Sequence, residues 1–203
     1  MILAIDTSTS ACTAALFDAE GRCLDRRDEV IGRGHSERLV PMLDELLAGR
    51  KATRILVGVG PGSFTGIRVG IAAAHGLAIG WGAEIAGMSS LALLAAGAER
   101  SDPVAAVVQG GHGELFAQQF EGDPLDATTP LLNLPPAEAA AAISAELVVG
   151  PGASALVEAR GSGSAIAAWP SAADAISLPQ GFRSLPPKPL YARAPDARAR
   201  EAA

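Results

Sequence analysis

The stretch Gly60-Pro61-Gly62-Ser63-Phe64-Thr65-Gly66-Ile67-Arg68-Val69-Gly70 constrains the fold of this chain more than any other. Upstream, Ile55-Leu56-Val57-Gly58-Val59 is a β-branched run of the length of a buried strand. Downstream, Ile67 to Ala78 is apolar at helical spacing with no internal proline. The loop therefore sits at a strand-to-helix turn. There the free N–H groups of a first helical turn, with glycines that admit another backbone or a phosphate, suit an anion or a docking partner. The same glycines equally suit a tight turn where a helix lies close on a sheet. Gly60, Gly62, Ser63, Phe64, Thr65, Gly66 and Arg68 are the candidate residues of the loop, and the full string is more specific than a lone Gly-x-Gly.

A chain of 203 residues buries a real core, as one large domain or as two lobes. Hydrophobic residues make up 49% and charged residues 19%, the balance of a globular protein, and no run of 18 apolar residues is present to span a bilayer. The start, Met1 to Asp6, lacks a basic n-region and already reads as a strand, so a soluble, cytoplasmic protein without a signal peptide is expected. Cys12 and Cys23 are too few for a disulfide framework or a zinc site. Charge is uneven: residues 101–182 carry 1 basic and 9 acidic side chains, whereas residues 183–203 carry 5 and 2. A surface that binds RNA by itself is basic, and only the end of the chain, with Arg183, Lys188, Arg193, Arg198 and Arg200, fits. A solvated terminus explains those cations equally well.

Along the chain, residues 2–6 and Cys12 to Phe17 read as strands joined by the hydroxyl-rich turn Thr7-Ser8-Thr9-Ser10, and a more polar edge strand runs from Gly21 to Val30. Asp6, at the end of a buried strand, needs hydrogen bonds, a metal or solvent. With Thr7 and Ser8 it is the candidate nucleotide or phosphate position. Glu37 to Ala48, after Ser36 and before Gly49, reads as a helix with Leu39, Met42, Leu43, Leu46 and Leu47 on one stripe and Pro41 in its first turns. That stripe packs on its own sheet or is shared with a partner. The helix after the glycine loop is rich in small residues, including Gly70 and Ala74, which allow close helix approach. A strand over residues 83–88 and a helix from Ser89 to Ala98 follow, with Ser89 or Ser90 as cap. Glu99-Arg100-Ser101-Asp102-Pro103 marks a lobe boundary, giving lobes of residues 1–100 and 101–190 and a basic tail of residues 191–203. The second lobe opens with a hairpin, Val104 to Val108 and Glu114 to Phe120 around Gln109-Gly110-Gly111-His112-Gly113. A helix over residues 136–145, a strand over residues 147–149 and a flexible loop at residues 161–164 come next.

The opening Ile2 to Thr9, the segment His35-Ser36-Glu37-Arg38-Leu39-Val40-Pro41, the Gly60 to Gly70 loop and Pro189-Leu190-Tyr191-Ala192-Arg193-Ala194-Pro195-Asp196-Ala197 together resemble the TsaB (YeaZ) family. This is the non-catalytic dimerisation subunit of the bacterial tRNA threonylcarbamoyladenosine machinery. The likeness runs in order along nearly the whole chain, is strongest over residues 1–95 and weak over residues 120–180. It implies an α/β fold of the actin-like class shared by sugar kinases and heat-shock ATPases: two lobes, with a reduced second lobe too short for a complete copy of the first. In the catalytic paralogue of the family, TsaD, two histidines of a motif after the same helix bind the catalytic metal. Here Ser90 and Leu94 stand in those places, and leucine offers a metal no lone pair. His35, His75 and His112 form no paired i, i+4 platform.

The resemblance further implies a scaffold that pairs with a TsaD-like subunit through its two helices. Leu39, Met42, Leu43, Leu46, Leu47, Ile67, Gly70 and Ala74 are the expected interface. A TsaE-like ATPase joins the pair, and tRNA is reached through the complex. No tightly bound cofactor is expected, ATP or ADP being placed at the interface of the assembled complex, and whether the free chain is a homodimer is left open. The family's Asp-Ala-Arg step is replaced by Gln109-Gly110-Gly111. An independent actin-like ATPase or small-molecule kinase, with phosphate at Thr7 to Ser10 and a metal at Asp6, is the alternative.

Overall fold

The computed structural model describes residues 1–99 and 103–190. The first half builds a sheet from β1 (Ile2–Asp6), β2 (Ala11–Phe17), β3 (Cys23–Val30), β4 (Arg54–Gly58) and β5 (Glu84–Met88), interleaved with α1 (His35–Leu47), α2 (Phe64–Trp81) and α3 (Ser90–Ala96). Strand order is β3-β2-β1-β4-β5, with β1, β2 and β3 antiparallel and β4 and β5 joined in parallel to β1. Successive β1 side chains point to opposite faces. Leu3 and Ile5 meet the apolar stripes of α1 and α2 on one face, and Ala4 meets α3 on the other. β1 is therefore apolar over Ile2–Ile5 and β4 over Ile55–Gly58, as a strand covered on both faces requires. β3 alternates between half-buried and exposed residues, as expected of an edge.

The second half contains β6 (Val104–Gln109), β7 (Leu115–Glu121), β8 (Asp126–Ala127), β9 (Leu132–Leu134), α4 (Pro136–Ala142), β10 (Leu147–Val149), α5 (Ala153–Arg160), β11 (Ser164–Ile166) and α6 (Gln180–Arg183). Its sheet order is β11-β10-β6-β7-β8, with β9 also on β7. Read from β6, this is the connectivity of the first sheet: an antiparallel hairpin, a return strand, a helix, a parallel strand, a second helix and a second parallel strand. The second lobe is thus the expected reduced copy. These steps of the first lobe recur, with β8, β9, β10 and β11 shortened to two or three residues. The repeat reaches the sequence as well. Gly150-Pro151-Gly152 follows β10 as Gly60-Pro61-Gly62 follows β4. A Cβ at Gly150 would lie 2.2 Å from the Val107 carbonyl oxygen, so this loop packs against the end of its own hairpin. The doubled mixed sheet is the actin-like α/β fold.

α3 is buried on all sides, Leu91, Ala92, Leu93, Leu94 and Ala95 being covered by both sheets. A helix apolar all round has no solvent face. From β11 the chain returns across the first lobe. Phe182 meets Phe120 edge to face at 5.7 Å between centroids, Gly87 and Leu185 exchange backbone hydrogen bonds of 2.7 and 3.0 Å, and the Leu190 N–H donates to the Val59 carbonyl at 2.8 Å. The two sheets therefore share one hydrophobic cluster. Arg100, Ser101 and Asp102 of the expected boundary lie outside the described residues, as do Tyr191 to Ala197 and the cations Arg193, Arg198 and Arg200.

Candidate functional site

The β1–β2 turn and the glycine loop are one packed unit. Asp6 ends β1 fully buried. Its Oδ1 accepts from the Ser8 N–H at 2.8 Å and the Ser8 hydroxyl at 2.7 Å, and its Oδ2 accepts from the Ser90 hydroxyl at 2.6 Å, at the start of α3. Burial pushes the Asp6 carboxyl above its ordinary range, while the Ser90 and Ser8 hydrogen bonds pull it back. The Thr7 hydroxyl donates to the Gly66 carbonyl at 2.7 Å, and the Ser63 N–H donates to the Ser8 carbonyl at 2.6 Å. Contact this close demands glycine. A Cβ at Gly58 would lie 1.9 Å from Asp6 Oδ2, at Gly62 2.1 Å from the Ser8 oxygen, at Gly66 2.1 Å from the Thr7 oxygen, and at Gly70 2.5 Å from Thr7 Oγ1.

Asp6, Thr7 and Ser8, the expected nucleotide or phosphate position, are all buried, their side-chain oxygens are hydrogen-bonded within the chain, and the glycine loop packs directly against them. Within the loop, Gly60, Gly62 and Gly66 serve the close approach of helix to sheet. Ser63 caps α2, its Oγ accepting from the Gly66 N–H at 3.1 Å. Phe64, Thr65 and Arg68 point outward, with the Arg68 guanidinium 3.4 Å above the Phe64 ring. Gly58 was not among the expected loop residues, although it precedes Gly62, Gly66 and Gly70 at a constant spacing of four.

At the positions of the paralogue's histidines, Ser90 is committed to Asp6 and Leu94 lies in the shared core. His35 Nε2 lies 3.1 Å from the Ala11 carbonyl, His75 Nε2 3.3 Å from the Pro187 carbonyl, and His112 sits on the β6–β7 turn. Among the described residues no group of three or more His, Cys, Asp or Glu side chains converges on a point. On the second hairpin, Glu114 accepts from the Asn133 amide at 2.8 Å.

The expected interface set packs within the first lobe. Leu39, Met42, Leu43, Leu46, Leu47, Ile67, Gly70 and Ala74 are all buried, packed with Leu3, Ile5, Leu16, Ile55 and Val57. An amphipathic helix buries its stripe on its own sheet first. Leu43 and Leu47 of that set also line a groove of about 420 Å³ between α1 and α2, together with Val40, Asp44, Lys51, Leu77 and Trp81. Val40 is 64% exposed, and Ile79, farther along α2, 84%. Sequence reasoning missed these residues, yet a signal was present. The 18-residue α2 has only Arg68 and His75 as ionisable side chains, where a solvent-facing helix normally carries charges on its outer face. No helix among the described residues is long and apolar enough to cross a membrane.

A family model described as TsaD, tRNA N6-adenosine threonylcarbamoyltransferase, matches residues 28–145. Among curated proteins, the tRNA threonylcarbamoyladenosine biosynthesis protein TsaB of Escherichia coli is 38% identical over 130 residues, covering 60% of this chain and 55% of that protein. TsaB of Haemophilus influenzae is 35% identical over 126 residues, covering 58% and 52%. The chain spans about half the length of the curated relatives it matches. Among solved structures, YeaZ from Pseudomonas aeruginosa superposes with a TM-score of 0.78 at 31% identity, covering 94% of this chain and 98% of that one. A second structure, of a protein with similarity to YeaZ from the same organism, gives 0.80 at 33%, covering 95% and 99%. With its sealed first-lobe turn, its doubled sheet and these relatives in both sequence and structure, the chain belongs to the TsaB/YeaZ family.

Proposed function

We propose that this chain is a non-catalytic, cytoplasmic scaffold subunit that supports a TsaD-like paralogue in forming threonylcarbamoyladenosine on tRNA, 3′ of the anticodon. The observation that carries this reading is a contrast within one lobe. The turn where an actin-like enzyme would hold phosphate is closed by the chain's own glycine loop, whereas an open groove lies between α1 and α2, beside an α2 that carries only Arg68 and His75 as ionisable side chains. A closed turn leaves nothing for an independent ATPase or kinase to use, which weighs against that alternative. An open apolar helical groove suits the matching helices of a paralogue, because a partner built on the same fold presents the same pair of helices. Burial there contributes at roughly 25 cal/mol per Å², less the cost of ordering. A TsaE-like ATPase then joins the pair, tRNA is met through the assembled complex, and ATP or ADP belongs to the interface of that assembly.

The test is threonylcarbamoylation of tRNA by the catalytic paralogue and its ATPase partner, with and without this chain. Modification only when it is present is expected. Equal modification without it overturns the reading.

A further inference from the structure

The return segment that crosses from the second sheet to the first is fastened at one joint by a chain of polar contacts. The Trp169 indole N–H donates to the Ser10 hydroxyl at 2.7 Å. The Ala172 N–H donates to Thr13 Oγ1 at 2.9 Å, Thr13 Oγ1 in turn donates to Asp28 Oδ1, and the Ser171 hydroxyl donates to the same Oδ1 at 2.9 Å. Ala172, Ala175 and Leu178 are buried beside these contacts in the core shared by both sheets. One group works against the joint. Asp174 is half-buried, its Oδ2 lying 2.7 Å from where a Cβ on Gly97 would stand. Its carboxylate accepts no hydrogen bond among the described residues.

The elements packed on this segment are β1, β2, β3 and α3. On β3, Asp28 faces Asp174 with like charge and Arg26 with opposite charge. On β1 the one carboxylate, Asp6, is held by Ser8 and Ser90. The thiol of Cys12 on β2 is directed to Met42 in the other core, and α3 carries no ionisable side chain.

We propose that residues 168–178 form a latch between the lobes, closed by Trp169, Ser171 and Ala172 and held below full strength at neutral pH by the facing carboxylates of Asp28 and Asp174. Burial raises the Asp174 carboxyl above its ordinary value of 3.8, and the Asp28 charge adds to that rise against Arg26. The sign follows. A carboxyl raised in the folded state binds its proton more tightly there than in the unfolded chain. Its destabilising effect is therefore complete above the folded value, and it disappears as pH falls towards the ordinary one. Acidification tightens the latch and neutral pH leaves it looser, so the freedom of the two lobes to part is set at this joint.

The test is amide hydrogen exchange of the full chain at pH 7.5, comparing the native protein with Asp174→Asn, which keeps the shape and removes the charge. Several-fold slower exchange across residues 168–178 is expected, with Tm higher by about 2–4 °C. The difference should narrow as pH is lowered towards the ordinary value of 3.8 and the native carboxyl takes up its proton. Asp174→Ala, which also removes the charge, is expected to act in the same direction and serves if the first variant folds poorly. Equal or faster exchange in both variants at pH 7.5, or a difference that pH does not alter, overturns the proposal.

Discussion

Gly58→Ala tests the closed turn directly. Gly58 has no left-handed φ, so alanine brings no backbone strain and the effect is steric. The new methyl would lie 1.9 Å from Asp6 Oδ2 and 2.6 Å from its Cγ, distances that no side-chain rotation of alanine can relieve. Asp6 must move, and moving it breaks the hydrogen bond from Ser90 or those from Ser8. Overpacking together with a buried carboxyl that loses a partner costs about 3 kcal/mol or more. For a chain of this length that is a fall of roughly 6–12 °C in Tm, read by thermal unfolding followed by circular dichroism. Gly76→Ala is the control. It lies inside α2 with nothing within 4 Å of its Cβ position, so alanine is expected to stabilise by about 0.5–1 kcal/mol through helix propensity. A Gly58→Ala protein as stable as the native one would refute the reasoning. The turn would then have room, and a ligand at Asp6 would again be open.

Leu46→Asp is expected to cost more than about 4 kcal/mol, because Leu46 is fully buried between α1 and the sheet; urea unfolding gives the value. Leu77→Glu, on the groove between the helices, should leave stability within about 1 kcal/mol yet weaken capture of the catalytic paralogue by about 30-fold, the equivalent of 2 kcal/mol at an interface anchor. Retained affinity in that variant would remove the groove from the interface. Arg38 is doubly bound to Glu29 and also pairs with Glu45, and its hydrogen bonds hold both carboxyls below their ordinary value of 4.5. Groups lowered in the folded state stabilise above that value and lose the contribution as pH falls through it. Arg38→Met should therefore make the acid-side loss of stability below about pH 4.5 shallower, as measured by Tm against pH. Arg160 donates to the carbonyls of Ile143, Ala145 and Ser162, so Arg160→Ala is expected to cost about 1–3 kcal/mol by leaving acceptors unpaired.

The elements of the first lobe were legible because each has its own local signal. The strand of residues 55–59 is found one residue earlier, at Arg54–Gly58, and the apolar run from Ile67 lies inside α2. Ser89 is the cap of α3, with its Oγ accepting from the Ala92 N–H at 3.2 Å. α1 starts two residues before the expected Glu37, at His35, because Gly34 turns the chain in a left-handed conformation without a side-chain cap. The helix of residues 136–145 stops at Ala142, since Gln119 Oε1 takes the N–H groups of Ser144 and Ala145 away from helical pairing. The expected flexible loop at residues 161–164 ends in β11, whose fully exposed residues carry no periodicity to read. At the site, sequence located the right loop and the right turn but not their relation. Whether glycines face a ligand or a neighbouring backbone depends on what the fold brings within 2 Å of them, and Thr7 and Gly66 meet across 59 positions of chain. The leucine stripe was ambiguous for a related reason. Periodicity identifies a buried face without saying what buries it.

The duplication strengthens the scaffold reading beyond the first lobe. In each lobe a Gly-Pro-Gly turn follows the first parallel strand beside the hairpin, and in each it is pressed onto the end of that hairpin, Gly62 on Ser8 and Gly150 on Val107. An enzyme that closes two lobes over a nucleotide needs these loops free to face each other across a cleft. Here both are spent on internal packing, and the space between the sheets is filled by α3 and by the return segment from Ala172 to Leu178. Among the described residues, the groove between α1 and α2 and the exposed Val40 and Ile79 leave apolar surface uncovered. If that face is where the chain works, variants there should abolish support of the partner while leaving Tm unchanged. Variants at Gly62 or Gly150 should lower Tm first and lose support only as the protein unfolds. Loss of support from a Gly150 variant that retains the native Tm would contradict this division and assign the second lobe a contact of its own.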